Sequence, residues 1–236
     1  MHVLNLHDYD DEYPDSDGEP MADNTKQYEW IVTIKGNLDV RLPDFVAGDL
    51  LWYPVQGQPK VRQAPDVLVA LGRPKGHRGS YKQWEEGGVA PQIAFEILSP
   101  RNSASEWIRK FAFYSKHGTE ELYTYDPDAN AVCVWIRRDR ELEPVEDVDG
   151  FVSPRLGIRF SLLEDTLVIH DRLGKKFESF AEIVARGDLA ASQAEQEKQR
   201  AEQEKQRAEQ EKRRAEQEKQ RADALAAKLK ALGYDV

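Results

Sequence analysis

Ile93-Ala94-Phe95-Glu96-Ile97-Leu98 is a short, unbroken apolar run with one carboxylate inside it. A run of this length and kind suits a central strand covered on both faces. Alternation along the strand puts Phe95 and Ile97 on one face and Ala94, Glu96 and Leu98 on the other. A glutamate there is costly to bury unless a cation or a metal stands beside it. The same six residues therefore bear on both the fold and the chemistry.

Upstream, Pro65-Asp66 precedes the strand-like run Val67–Leu71, and Phe45–Val55 is predicted as one strand. Asp23 or Asn24 caps a predicted helix reaching about Val40, with Tyr28, Ile31, Ile34 and Leu38 on one face and Gly36 as its weak point. Downstream, Ser103 opens a helix to about Lys116, with Trp107, Phe111 and Tyr114 at helical spacing and Gly118 as its stop. Leu122–Tyr125 and Val132–Arg138 form two strands across the turn Asp126–Asn130. Short strands are expected at Leu156–Phe160 and Leu167–His170, then a turn at Arg172–Lys175 and a last short helix over Phe177–Arg186. Strands interrupted by two substantial helices imply an α/β domain, a mixed sheet with helices packed against it.

Composition divides the 236 residues into three segments: an acidic flexible arm at 1–23, a foldable body at 24–187 and a charged tail at 188–236. Residues 1–30 hold nine acids against Lys26 alone, which accounts for −8 of the net −10. The body is close to balanced, so overall charge neither favours nor excludes a nucleic-acid partner. Cys133 is the only cysteine, which rules out an intrachain disulfide; it lies among Val132, Val134 and Ile136 and is expected to be buried. No stretch approaches the about 18 apolar residues of a membrane span, and no basic-then-apolar leader opens the chain, so a cytoplasmic location is expected.

The tail repeats the heptad AEQEKQR four times from Ala194 to Arg221, with one change at Arg213. Its residues are strong helix formers, and pairs such as Lys198–Glu202 and Arg200–Glu204 lie four apart. A coiled coil needs two apolar positions per heptad, and here one is alanine and the other a glutamate. A solvated single helix or spacer is the expected form. Self-association is left to the last turns, where Ala222, Leu225, Leu229 and Leu232 make a seam.

Two carboxylates on neighbouring strands, Asp66 and Glu96, are of the type that holds Mg²⁺, a cation that takes oxygen ligands and keeps several waters. A nearby lysine, Lys110, would neutralise or orient a nucleophile at a phosphodiester. Each has a plainer explanation: Pro-Asp as turn chemistry, Glu96–Lys110 as a buried ion pair, Lys110 as a surface side chain. Arg62, Arg73, Lys75, Arg78 and Lys82, then Arg101 and Arg109, interleaved with Tyr81 and Trp84, are the basic residues expected to follow a phosphate backbone, a solvated loop being the alternative. Asp49 is a weaker acidic candidate. Zinc-ligand spacing, a Ser-His-Asp framework and a P-loop are all missing from the sequence.

The run PDVLVALGRPKGHRGSYKQWEEGGVAPQIAFEILSPRN (Pro65–Asn102), KFAFYSKHGTEELYTYDPD (Lys110–Asp128), YPDSDGEPMAD (Tyr13–Asp23) and VAGDLLWYP (Val46–Pro54) closely resemble the Uma family of putative restriction endonucleases, within the PD-(D/E)XK nuclease superfamily. The resemblance covers most of residues 13–180. It implies a restriction-endonuclease-like mixed sheet flanked by helices, with Asp66 and Glu96 as metal ligands and Mg²⁺, or Mn²⁺, as cofactor. The superfamily pattern expects a lysine two residues after the glutamate, where this chain has Leu98; Lys110 on the following helix would supply that charge. Many relatives carry an acid in place of Gln92, and several a histidine in the first helix, for which Thr25–Trp30 has no match. A metal-dependent endonuclease acting on DNA is the function this implies. The rival is a catalytically silent nuclease-fold scaffold that assembles through its C-terminal helix.

Overall fold

The computed structural model describes residues 12–18 and 20–231. Most of the acidic arm, residues 1–11 and Glu19, lies outside the described residues, as do the last five residues with Leu232. The described part of the arm rests on the body: Tyr13 is buried against Tyr53 and Trp84, and Pro14 O accepts from the Tyr53 hydroxyl at 2.7 Å.

Helix α1, Thr25–Arg41, starts at Asn24, whose side chain accepts from Gln27 N at 2.9 Å. Its inward stripe is Gln27, Ile31, Ile34 and Leu38 rather than the stripe through Tyr28, which is half exposed. The 3.6-residue period continues from Leu38 back to position 27. The amide there is spent on buried backbone: Gln27 Nε2 donates to Ile97 O at 2.7 Å. Gly36 sits inside the helix without breaking it.

The expected Phe45–Val55 strand is two pieces, β1 (Asp44–Gly48) and β2 (Trp52–Tyr53). Asp49, at φ +49°, turns the chain between them. After β3 (Val67–Pro74) and β4 (Tyr81–Lys82) comes β5 (Ile93–Ile97), every residue of which is buried. Helix α2 (Ala104–His117) is capped by Ser103 and stopped by Gly118 at φ +104°. Then follow β6 (Glu121–Asp126), β7 (Ala131–Arg138), β8 (Glu141–Pro144), β9 (Arg159–Leu162) and β10 (Leu167–His170).

Six strands form one mixed sheet in the order β1-β3-β5-β6-β7-β8, in which only β5 and β6 run parallel, joined by α2. One face packs Val67, Val69, Phe95 and Tyr123 against Ile31, Ile34 and Leu38 of α1. The other packs Leu68, Ala94 and Leu122 against Tyr114, Trp107 and Phe111 of α2. Glu96 thus belongs to the α2 side and Phe95 to the α1 side, as strand alternation requires. Cys133, expected in the core, is exposed. It alternates with Val132 and Val134 and so points away from the face on which Val134 is buried.

Two compact units part at Phe180/Ala181. The expected short helix over Phe177–Arg186 is not separate. Phe177 is buried in the body core, and α3 runs unbroken over Phe180–Ala231, about 78 Å at the usual rise. Every side chain from Phe180 to Lys228 is exposed in this chain. Side-chain pairs along it include Glu195–Gln199, Glu202–Gln206 and Glu209–Arg213. A glutamate four residues ahead of its partner is the better-oriented pair on a helix.

Candidate active site

Asp66 directly precedes β3, whose ladder with β5 begins at Val67 opposite Phe95. Beyond that rung the β3 edge of β5 has no strand to bond, and the Asp66 side chain takes its place: Ile97 N donates to Oδ2 at 2.5 Å. The carboxylate is 8% exposed, and its other oxygen has no hydrogen bond among the described residues. Burial, then the charge of Glu96, push the Asp66 carboxyl well above the usual carboxylate range, against the opposing pull of the Ile97 N–H and Lys110.

Glu96 is 2% exposed. Both oxygens are occupied by residues one turn apart on α2: Lys110 Nζ lies 2.7 Å from Oε2, and the Tyr114 hydroxyl donates to Oε1 in a short hydrogen bond. Burial works against the Lys110 charge. The attraction of Glu96, their hydrogen bond and Asp66 outweigh it and hold the ammonium above its ordinary range. Burial and the Glu96 charge likewise raise the Tyr114 hydroxyl far above the usual phenol range, so it remains a donor.

Asp66 and Lys110 line a polar cleft of about 400 Å³ together with Asp49, Asp23, Arg101 and Glu106. The cleft forms where three loops converge. The turn at Asp49 lies against the start of β3, Asp49 N donating to Asp66 O at 3.3 Å. The Ser99–Asn102 turn is closed by Ser99 N donating to Asn102 Oδ1 at 2.7 Å. The segment before α1 is pinned to it by Ser99 Oγ donating to Asp23 Oδ2 at 2.6 Å. The Asp49 carboxylate has no hydrogen bond among the described residues; burial, then Asp17, raise its carboxyl above the usual range. Arg101 stands at the mouth, its side chain 78% exposed and 3.5 Å from Asp23.

The structure therefore brings together Asp66, Glu96, Lys110 and Asp49. It does not bring Arg73, Lys75, Arg78 or Lys82 to this cleft. Lys75 pairs with Asp39 at 3.1 Å, Arg78 with Glu86 at 2.5 Å while covering the Phe45 ring, and Lys82 lies 4.0 Å from Glu85. Arg73 bonds the backbone carbonyls of Gly72 and Glu86. Gln92 is spent on Leu71 N at 2.7 Å, a tie between β3 and β5. Arg101, among the basic residues expected to follow a phosphate backbone, does line the cleft, whereas sequence reasoning missed Tyr114, Asp23 and Gln27. For Tyr114 a signal existed: it lies four residues beyond Lys110, on the same helix face.

Unpaired, desolvated carboxylate oxygens suit a hard divalent cation. Among the described residues no three His, Cys, Asp or Glu side chains converge as a ready cage, so an ion here would rest on one or two carboxylates and keep its waters.

No curated protein matches this sequence. Among solved structures, it is similar to a crystal structure described as a putative nuclease belonging to DUF820 from Anabaena variabilis, at 22% identity, with a TM-score of 0.39 over 54% of this chain and 68% of that one. The model of the Uma2 family, described as "Putative restriction endonuclease", matches residues 16–163, well over half of the chain. The chain belongs to the Uma2 family of putative restriction endonucleases.

Proposed function

We propose that this protein is a metal-dependent endonuclease of the PD-(D/E)XK kind that hydrolyses DNA phosphodiester bonds, with Mg²⁺ or Mn²⁺ as its ion. The observation that carries the reading is one polar cleft lined by the half-buried, unbonded Asp49 carboxylate, by Asp66 with one carboxylate oxygen unbonded, and by Lys110, which pairs with the buried Glu96 behind it. Burying that much negative charge raises the free energy of the fold, which is the signature of a functional site. Asp66 and Glu96 would hold the ion, and Asp49 is placed to join them. A bound ion of this class supplies Lewis acidity and a water of lowered pKa.

The chain's own groups do the remainder. The Lys110 ammonium, kept charged by its carboxylate neighbours, is a fixed positive charge for a phosphate oxygen or for the attacking water. It stands in for the lysine that Leu98 replaces. Arg101 offers an exposed guanidinium at the cleft mouth for the DNA backbone. Arg73, Lys75, Arg78 and Lys82 would reach phosphate only by giving up their present partners, Arg73 most readily because it holds only carbonyls. No described helix is long and apolar enough to cross a membrane. The lone thiol, exposed and unbridged, fits a reducing cytoplasm.

The test is cleavage of supercoiled plasmid and single-stranded DNA with Mg²⁺ or Mn²⁺, comparing wild type with Asp66→Ala and Glu96→Ala. Metal-dependent cutting lost in both variants supports the reading. A folded wild type that cuts neither substrate with either ion leaves the silent scaffold in its place. Cutting that survives both substitutions moves the site elsewhere.

A further inference from the structure

Tyr114 has no part in the assignments above, yet it is the most completely enclosed polar group near the cleft. Its ring lies on the inner side of α2, stacked on Trp52 at 6.4 Å and edge-on to Phe113 at 5.8 Å. Its hydroxyl donates to Glu96 Oε1, while Lys110, one turn earlier, takes Oε2. A carboxylate with one donor swings about its χ angles; one held at both oxygens from a rigid helix does not. The two donors differ in kind. Lys110 lines the open cleft and carries a charge that a cation or a phosphate can displace or recruit. Tyr114 is neutral, sealed in apolar packing and has nowhere else to donate.

We infer that Tyr114 is a positioning residue: its hydroxyl fixes the Glu96 carboxylate through Oε1, so that Oε2 is the oxygen Glu96 presents to a divalent cation. This rests on the metal-nuclease reading and names the part of it that α2 supplies. Lys110 and Tyr114 then share one task at two oxygens, charge at the one facing the chemistry and geometry at the other. A phenylalanine at 114 preserves the ring packing and removes only the donor, leaving Oε1 a buried acceptor with no partner.

The experiment is calorimetric titration of Mn²⁺ into the metal-stripped full-length protein, well below its melting temperature, for wild type, Tyr114→Phe, Glu96→Gln and the double variant. Plasmid-cleavage kinetics are run on the same preparations. Tyr114→Phe is expected to weaken Mn²⁺ binding by about tenfold and to lower kcat by a similar factor, within the usual range for a group that orients a metal ligand. KM for DNA should stay within about twofold, because the residue touches no substrate. In the Glu96→Gln background, Tyr114→Phe should add no further loss, because it acts only through Glu96. A lower melting temperature with unchanged Mn²⁺ affinity and kcat overturns the inference and leaves Tyr114 as core packing. Equal losses with and without Glu96 also overturn it. If wild type binds no Mn²⁺ at all, the metal reading itself fails and this role goes with it.

Discussion

Glu96 and Glu121 are both buried glutamates on neighbouring strands of the same sheet, 2% and 1% exposed. They lie at opposite ends of the β5–β6 pairing, Glu96 opposite Thr124 and Glu121 opposite Ile93. Their surroundings could hardly differ more. Glu121 is held by three neutral donors: the Tyr123 hydroxyl at 2.6 Å, Ser153 Oγ at 2.5 Å and Arg155 N at 2.7 Å. It ties the 153–155 turn to the sheet. Glu96 is held by one neutral donor and one cation, and that cation opens onto a cleft lined by the unbonded Asp49 carboxylate and the half-satisfied Asp66. A buried carboxylate is therefore not a site by virtue of burial. What marks a site is a partner that can be exchanged and a path for something to exchange it with.

The largest expected effect separates the two in activity. Glu96→Gln should slow metal-dependent plasmid nicking by about 1,000-fold or more, the several kcal/mol a metal contributes to such a transition state. Glu121→Gln should stay within about threefold of wild type, because that carboxylate does not line the cleft of Asp66 and Lys110 and is held by the Tyr123 hydroxyl, Ser153 Oγ and Arg155 N. Comparable losses in both, in folded protein, would erase the distinction.

Stability should reverse the ranking. Glu121→Leu strands two buried hydroxyl donors and the part-buried Arg155 N–H at once and should cost about 3 kcal/mol, read from urea denaturation of full-length protein. Glu96→Gln keeps an acceptor for Tyr114 and relieves charge crowding with Asp66, so its loss should be the smaller of the two. A Glu121→Leu variant as stable as wild type would mean that the 153–155 turn is held by something else.

The same contrast explains how much was legible beforehand. Glu96 and Asp66 stood out in sequence because a charge inside an apolar strand, or at its threshold, breaks a local pattern. The caps at Asn24, Ser103 and Gly118 were equally local. Glu121 raised no signal: it sits at a strand end, where an acid is unremarkable until the chain brings Ser153 and Arg155 over it from 32 and 34 residues away. Tyr114 looked like one more core aromatic, because its hydroxyl partner is on a strand and not on its own helix. The ion pairs of the basic loop were hidden for the same reason, since Asp39 and Glu86 claim Lys75 and Arg78 only after folding. The break at Asp49 was invisible because an apolar run does not declare a left-handed residue. Periodicity exposes elements and isolated charges; it does not reveal which charges are already satisfied.

Asp66 sharpens the comparison from the other side, because its carboxylate is buried and only half satisfied. Its pKa is raised in the folded state, so its contribution to stability is fully present below the unfolded value of about 3.9 and is lost as pH rises through the folded one. Asp66→Asn keeps the acceptor for Ile97 N and removes the charge. It should raise stability above neutrality by about 1–2 kcal/mol, a gain that shrinks toward pH 4. Melting curves at pH 5 and pH 8 without metal measure it, and added Mn²⁺ should stabilise wild type more than the variant. A variant less stable than wild type at pH 8 would show that the Asp66 charge is compensated by a partner.

The smallest effect is expected where no carboxylate is buried. From Phe180 to Lys228 every side chain of α3 is exposed, and Glu195, Glu202 and Glu209 pair with neighbours four residues on along the same helix. Exposed pairs of this kind contribute tenths of a kcal/mol to the helix itself and nothing to the body. Deleting residues 188–236 should therefore shift the melting temperature by no more than about 2 °C, within the usual range for surface changes, and leave nicking unchanged. Light scattering on the same pair of proteins tests the remaining proposal for the tail. A full-length mass of twice the chain that falls to one on deletion assigns it to assembly through the final leucines, and a single-chain mass in both makes it a spacer. A drop in melting temperature well beyond that bound would mean that the tail stabilises the body, and the division at Phe180 would then be a boundary in geometry but not in energy.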